Sequence, residues 1–154
     1  MMNKEKNSMV TFCWRVLSAH TVAYFVAGIF ALLFLDYQEH FSSESLSLLM
    51  RPVDSPWVAA GSGLQDFRGL IIALVLYPFR KVFLGSKRGG FKLWLLVMGL
   101  SFFSTIRPAP GSFEGYIYTI LPVQYHLLGI PEALLYTTLF AFFVCGWYKK
   151  PFRI

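Results

Sequence analysis

Long apolar stretches separated by polar segments are the dominant pattern along this chain. A helix needs about 20 apolar residues, each rising 1.5 Å, to cross the roughly 30 Å hydrocarbon core of a bilayer. Such stretches occupy residues 16–35, 57–79, 91–106 and 131–148. The pattern therefore predicts an all-α integral membrane protein in which one membrane domain, residues 1–154, forms a four-transmembrane-helix bundle.

The segment 111–130 fits this pattern least well. An apolar run begins at Gly115, but Pro122, Gln124 and His126 interrupt its continuation toward the last span. A fifth crossing is one alternative, although it would place the basic C-terminus outside and leave almost no loop before the last span. We therefore expect a short interfacial or re-entrant helix in this segment.

The charged residues indicate the orientation of the chain. With four crossings, eleven of the fourteen Lys and Arg residues fall on one side and seven of the eight Asp and Glu residues on the other. Basic loops stay in the cytoplasm, so we expect a plasma (bacterial inner) membrane location with both termini cytoplasmic. The residues that carry this prediction are Lys4, Lys6, Arg15, Arg80, Lys81, Lys87, Arg88, Lys92, Lys149, Lys150 and Arg153.

The composition agrees with a membrane protein and limits the kinds of binding partner that we expect. The chain is 56% apolar and only 14% charged, whereas ordinary soluble domains are about 25% charged. Its net charge of +6 comes from residues beside the hydrophobic spans, which suits anionic lipid headgroups better than nucleic acid. The expected partners are therefore membrane lipids and other membrane subunits or further copies of this chain, with no nucleic acid.

Motifs for catalysis, nucleotide binding or metal binding are missing from the sequence. Cys13 and Cys145 have neither CxxC nor Cys/His spacing. His20 and His126 fall at different predicted depths, and His40 lies in a loop, so no two of them suit a bis-histidine haem. The sequence predicts no cofactor, no metal site and no catalytic residue.

Charged side chains inside or beside the predicted spans are the strongest functional signal. Asp66 and Arg68 lie in the outward half of the second span, and Arg107 follows the third. An Arg near the bilayer centre costs about 2.5 to 3.5 kcal/mol on insertion scales unless it is paired or wetted. We predict an outward-facing polar cluster that binds a ligand or forms ion pairs. Its members are Asp66, Arg68, Arg107, Glu114, His126 and Glu132.

A purely structural role is the alternative for these residues. Glu132 would favour the dipole of a starting helix in any setting. Arg107 and Glu114 would be ordinary loop residues in water. Asp66 and Arg68 favour a functional role more strongly, because ionisable groups inside a membrane are costly.

Two further features of the spans concern packing. His20 lies roughly 7 Å inside the first span and is either a neutral histidine that hydrogen-bonds between helices or a proton-linked site. Gly28 in the first span, with Gly61 and Gly63 in the second, is expected to allow close helix approach.

The function that these features favour is an accessory or adaptor subunit of a membrane complex, whose polar cluster binds a partner or a lipid headgroup. Small size and absent catalytic motifs support it, and the lack of an internal repeat disfavours a self-contained transporter. One alternative is an oligomeric transporter or channel element for a small anion or protons. A second is an intramembrane enzyme acting on lipid headgroups, for which His126, Glu114 or Asp66 would be the acid or base.

Overall fold

A computed structural model describes residues 8–105 and 107–149, with side chains as far as residue 148. Every regular element in these residues is helical. The elements are α1 (Met9–Phe34), α2 (Tyr37–Phe41), α3 (Glu44–Ser47), α4 (Pro56–Gly63), α5 (Gln65–Leu76), α6 (Arg80–Leu84), α7 (Gly89–Met98), a π-helical turn (Gly99–Phe103), α8 (Phe113–Tyr118), α9 (Val123–Leu128) and α10 (Ile130–Lys149). Lys4, Lys6, Lys150 and Arg153, and Ile106 at the predicted end of the third span, lie outside the described residues.

Three helical stretches are long and apolar enough to cross a membrane. They are α1, the pair α4–α5 over Pro56–Leu76, and the pair α9–α10 over Val123–Tyr148. The stretch Gly89–Phe103 is apolar but shorter, and would cover about 22 Å as a regular α-helix. The structure thus confirms an all-helical chain suited to a membrane.

The α1 helix lies at the centre of the fold and packs against both α5 and α10. Its alanines at positions 19, 23, 27 and 31 are almost completely buried. Residues four apart share one side of a helix, so these small side chains form a row along which neighbouring helices approach closely. The other core residues come from α5, α7 and α10, and Leu93 of α7 and Phe140 of α10 are fully buried.

Large apolar side chains cover much of the outer surface. On α1, Ile29 and Leu33 are more than half exposed, as are Val75 on α5 and Phe142 on α10. Water would solvate such a surface poorly, whereas lipid tails are as apolar as these side chains. The exposed surface therefore suits a lipid environment, in agreement with the three long apolar stretches.

The segment 111–130 holds two short helices, α8 and α9, where the sequence predicted one. Gly111 has a positive φ of 86° before α8, a conformation that favours glycine. The long apolar stretch extends back to Val123, although α10 itself begins at Ile130, next to the predicted residue 131. Gly129 joins α9 to α10 with right-handed helical dihedrals.

Enlarging a buried alanine of α1 should destabilise the bundle. Ala23 is fully buried, and we expect Ala23→Leu to cost about 1 to 3 kcal/mol because the added carbons displace α5 or α10. Thermal unfolding in detergent, followed by circular dichroism, measures this effect. Val22→Leu is the matched control because Val22 is 40% exposed. Equal melting temperatures for the two variants would contradict this packing.

Candidate functional site

A cavity of about 690 Å³ lies among α1, the α2–α4 segment, α9 and the start of α10. We call it the Glu132 cavity, after the carboxylate in its wall. Its volume is within the roughly 300 to 1,000 Å³ that is usual for small-molecule sites. Most of its wall is apolar, and α1 supplies Phe25, Gly28, Ile29 and Leu32.

The missing side chain of Gly28 helps to form this cavity. A Cβ atom added to Gly28 would meet nothing within 4 Å. The same is true of Gly61 and Gly63, so the prediction that these three glycines allow close helix approach was wrong. The close contact lies at Gly69 of α5 instead, where an added Cβ would be 2.9 Å from Cδ2 of His20.

Tyr37 and Glu132 form the principal polar contact in the cavity wall. The hydroxyl of Tyr37 donates a hydrogen bond of 2.5 Å to Oε2 of Glu132. Tyr37 begins α2 directly after Asp36, whose left-handed φ of 46° turns the chain at the end of α1. Burial, together with the adjacent Glu132 carboxylate, raises the pKa of Tyr37, so its hydroxyl remains a donor at neutral pH.

The other charged group in the wall is also acidic. Asp54 lines the cavity beside Ser55. Ser55 precedes α4, and its side chain accepts a hydrogen bond from the amide of Trp57, which fixes the start of that helix. Two carboxylates therefore share a wall that is otherwise largely apolar.

A second polar group of residues lies where α1, α5 and α10 meet. We call it the His20 network, and it consists of His20, Thr21, Gln65, Asp66, Arg68 and Tyr136. The His20 side chain is fully buried, and its Nδ1 lies 2.7 Å from the hydroxyl oxygen of Tyr136. Thr21 donates a 2.6 Å hydrogen bond to Oδ1 of Asp66. Asp66 and Arg68 are the charged members of the network, and both side chains are exposed.

Two buried polar atoms of the His20 network lack a hydrogen-bond partner among the described residues. They are Nε2 of His20 and Oε1 of Gln65. The amide nitrogen of Gln65 donates to the carbonyl of Gly61 at 3.4 Å, which holds this side chain at the junction of α4 and α5. Buried polar atoms of this kind are costly in an apolar setting.

The six residues of the predicted cluster do not come together in one site. All six are in the described part of the chain, and no hydrogen bond or ion pair is found between any two of them. Asp66 contacts Thr21, and Glu132 contacts Tyr37. The buried His126 accepts a hydrogen bond from the amide of Gly111.

The other three members have different surroundings. Arg68 has an exposed side chain on α5, and Arg107 has an exposed side chain in the loop before α8. The backbone carbonyl of Arg107 accepts hydrogen bonds from Thr105 and Ser112. Glu114 is half-buried in the first turn of α8.

The sequence alone did not single out Tyr37, Tyr136 and Tyr24, each of which belongs to one of these two sites or borders it. A usable signal was present in the spacing. Tyr24 follows His20 by four residues, and Tyr136 follows Glu132 by four, so each pair shares one side of its helix. Tyr24 lines the Glu132 cavity, and its ring centroid is 6.2 Å from that of His20. The cavity and the His20 network are therefore neighbours.

Among residues 8–105 and 107–149, no group of three or more His, Cys, Asp or Glu side chains is arranged to hold a metal ion. Comparisons with protein-family models, with curated proteins and with solved structures found no match to this chain. The contacts within the chain must therefore carry the functional argument.

Removing the Tyr37 hydroxyl should lower the stability of the folded protein, and the size of this effect should depend on pH. We expect Tyr37→Phe to lower stability by about 1 kcal/mol at neutral pH, because one hydrogen bond is lost. The raised pKa of Tyr37 means that its contribution is fully present below pH 10 and is lost as the pH rises further. The variant should therefore lose stability less steeply than the wild type above pH 10.

Thermal unfolding in detergent between pH 7 and pH 11 measures both effects. Tyr118→Phe is a suitable control, because Tyr118 is 73% exposed. Parallel pH curves for Tyr37→Phe and the wild type would show that Tyr37 titrates as it would in water.

Proposed function

We propose that this chain is an accessory or adaptor subunit of a membrane complex and that it binds a lipid headgroup in the Glu132 cavity. The observation that carries the proposal is the cavity itself. It combines a ligand-sized volume and a long apolar wall with the two acidic groups Glu132 and Asp54. This combination suits an amphipathic ligand, whose apolar part requires dry contacts and whose polar part requires hydrogen bonds.

We further propose four membrane crossings, with Gly89–Phe103 as the third and with α8–α9 lying at or re-entering the interface. The loop between α5 and α7 would be cytoplasmic because it is rich in Lys and Arg, including the exposed Lys87 and Arg88. The Glu132 cavity lies beside the second half of α1, away from this loop, so it would face the outside of a bacterial inner membrane.

Two exposed charged residues support the proposal that a partner subunit packs against this chain. Asp66 and Arg68 lie within the membrane-crossing stretch Pro56–Leu76, yet both side chains are exposed. Charged groups inside a membrane almost always face protein or a wet cavity rather than lipid tails. A second subunit, or another copy of this chain, packed against α5 would cover them.

Native mass spectrometry tests the lipid and the partner together. Protein extracted from its own membrane in mild detergent should carry at least one bound phospholipid and a further polypeptide. A monodisperse chain that carries neither, and that takes up no phospholipid when it is added back, would contradict the proposal.

Filling the cavity should remove the lipid without unfolding the protein. In Gly28→Leu, the new side chain enters open space in the cavity wall, so we expect lipid occupancy to fall at least about tenfold with little change in melting temperature. Gly63→Leu is the matched control, because Gly63 also has open space around it but does not line the cavity. Equal lipid loss in both variants would show that the lipid binds elsewhere.

Proton-linked transport is the second candidate function, and the His20 network favours it. The fully buried His20 of α1 hydrogen-bonds to Tyr136 of α10. The charged residues Asp66 and Arg68 lie on α5, which also packs against α1. Histidine is the side chain whose ordinary pKa is nearest to physiological pH.

Proteoliposomes that contain a pH-sensitive dye separate this candidate from the adaptor role. The adaptor proposal predicts no proton flux above that of empty liposomes. Flux that is present in the wild type and lost in both His20→Gln and Asp66→Asn would favour transport instead.

A further inference from the structure

The charges of the Glu132 cavity have one sign. Among the described residues that line it, Asp54 and Glu132 are the charged ones, and neither Lys nor Arg is present. The chain as a whole is basic, with a net charge of +6. A cavity with acidic walls in a basic protein favours a ligand with a positive, hydrogen-bond-donating group.

Glu132 has capacity for one more donor. Its Oε2 accepts the single hydroxyl proton of Tyr37, and Oε1 has no donor among the described residues. An ionised carboxylate accepts several hydrogen bonds, and it is costly in an apolar site without them. The free oxygen belongs to a group that lines the cavity, so a ligand can supply the missing donor.

The apolar wall indicates that the ligand also carries a hydrocarbon chain. Phe25, Ile29 and Leu32 line the cavity from α1, and all three lie within the membrane-crossing stretch Met9–Phe34. A small hydrophilic amine would leave this wall without contacts, whereas an acyl chain would cover it. Burying apolar surface is worth roughly 25 cal/mol per Å².

Arg51 is close in sequence to two residues that line the cavity, but it is not itself a lining residue. Arg51 stands over the ring of Trp57, with its guanidinium carbon 5.6 Å from the ring centroid. Its neighbours Met50 and Val53 line the cavity, while the Arg51 side chain itself is exposed.

Building on the function proposed above, we infer that the Glu132 cavity selects a phospholipid with a primary ammonium headgroup, of the kind found in phosphatidylethanolamine. A primary ammonium has three N–H donors and a positive charge. The quaternary ammonium of phosphatidylcholine has the charge without the donors. Phosphatidylglycerol has hydroxyl donors but no positive charge, and it carries a net negative charge that the two carboxylates repel.

Competition among matched lipids tests this selection. Delipidated protein in detergent is titrated with phosphatidylethanolamine, phosphatidylcholine and phosphatidylglycerol of the same acyl composition, and bound lipid is read by native mass spectrometry. We expect phosphatidylethanolamine to bind about tenfold more tightly than either of the others, as one charge-assisted hydrogen bond would provide.

Variants then locate the selectivity. Glu132→Gln keeps the shape and the acceptor for Tyr37 but loses the charge, so the preference should fall to about twofold or less. Asp54→Asn, in an exposed loop, should reduce the preference partly and provides a second variant should Glu132→Gln fail to fold. Glu39→Gln is the control, because Glu39 is an exposed carboxylate that does not line the cavity. A preference that survives in both cavity variants would overturn the inference.

The outcomes separate the two proposals. If none of the three lipids binds, both the lipid-binding function and the ammonium selectivity are wrong. If all three bind equally, or if phosphatidylcholine matches phosphatidylethanolamine, only the selectivity is wrong. Glycerophosphoethanolamine, which lacks acyl chains, should bind at least a hundredfold more weakly, and equal binding would overturn the assignment of a lipid as the ligand.

Discussion

The spacing of four residues along α1 is the constraint on which the rest of this structure depends. One row of the helix is alanine, and it lets α5 and α10 approach the centre of the bundle. The adjacent row contains His20, Tyr24 and Gly28 in successive turns. The same helix therefore supplies close packing on one side and two neighbouring polar sites on the other.

The side chains of this second row explain both sites. Gly28 has no side chain to fill the space opposite α4, which leaves the Glu132 cavity open. One turn below Tyr24, His20 fills its space completely and contacts Tyr136. On α10, Glu132 and Tyr136 are likewise one turn apart, so the cavity and the His20 network meet along the same two helices. A ligand in the cavity would contact Tyr24, whose ring is a neighbour of the buried His20 ring.

Hydropathy could predict the helical membrane fold, since the apolar stretches are local features of the sequence. It could also single out Asp66 and His20, because polar groups inside apolar runs are conspicuous. The contacts of these groups could not be predicted. Tyr37 and Glu132 are 95 residues apart, and His20 and Tyr136 are 116 apart. Such pairs depend on how the helices dock, and the same dependence explains why Gly28 borders a cavity where its sequence context indicated close packing.

The central claim is that a membrane lipid occupies the space beside Gly28 with its polar end at Glu132. A structure of the protein in lipid nanodiscs, enlarged by a bound antibody fragment for cryo-electron microscopy, tests this claim most directly. A bound lipid should give continuous density from the Glu132 carboxylate along the α1 wall past Gly28. A cavity collapsed by inward movement of α4, with side chains packed against Gly28 and no such density, would contradict it.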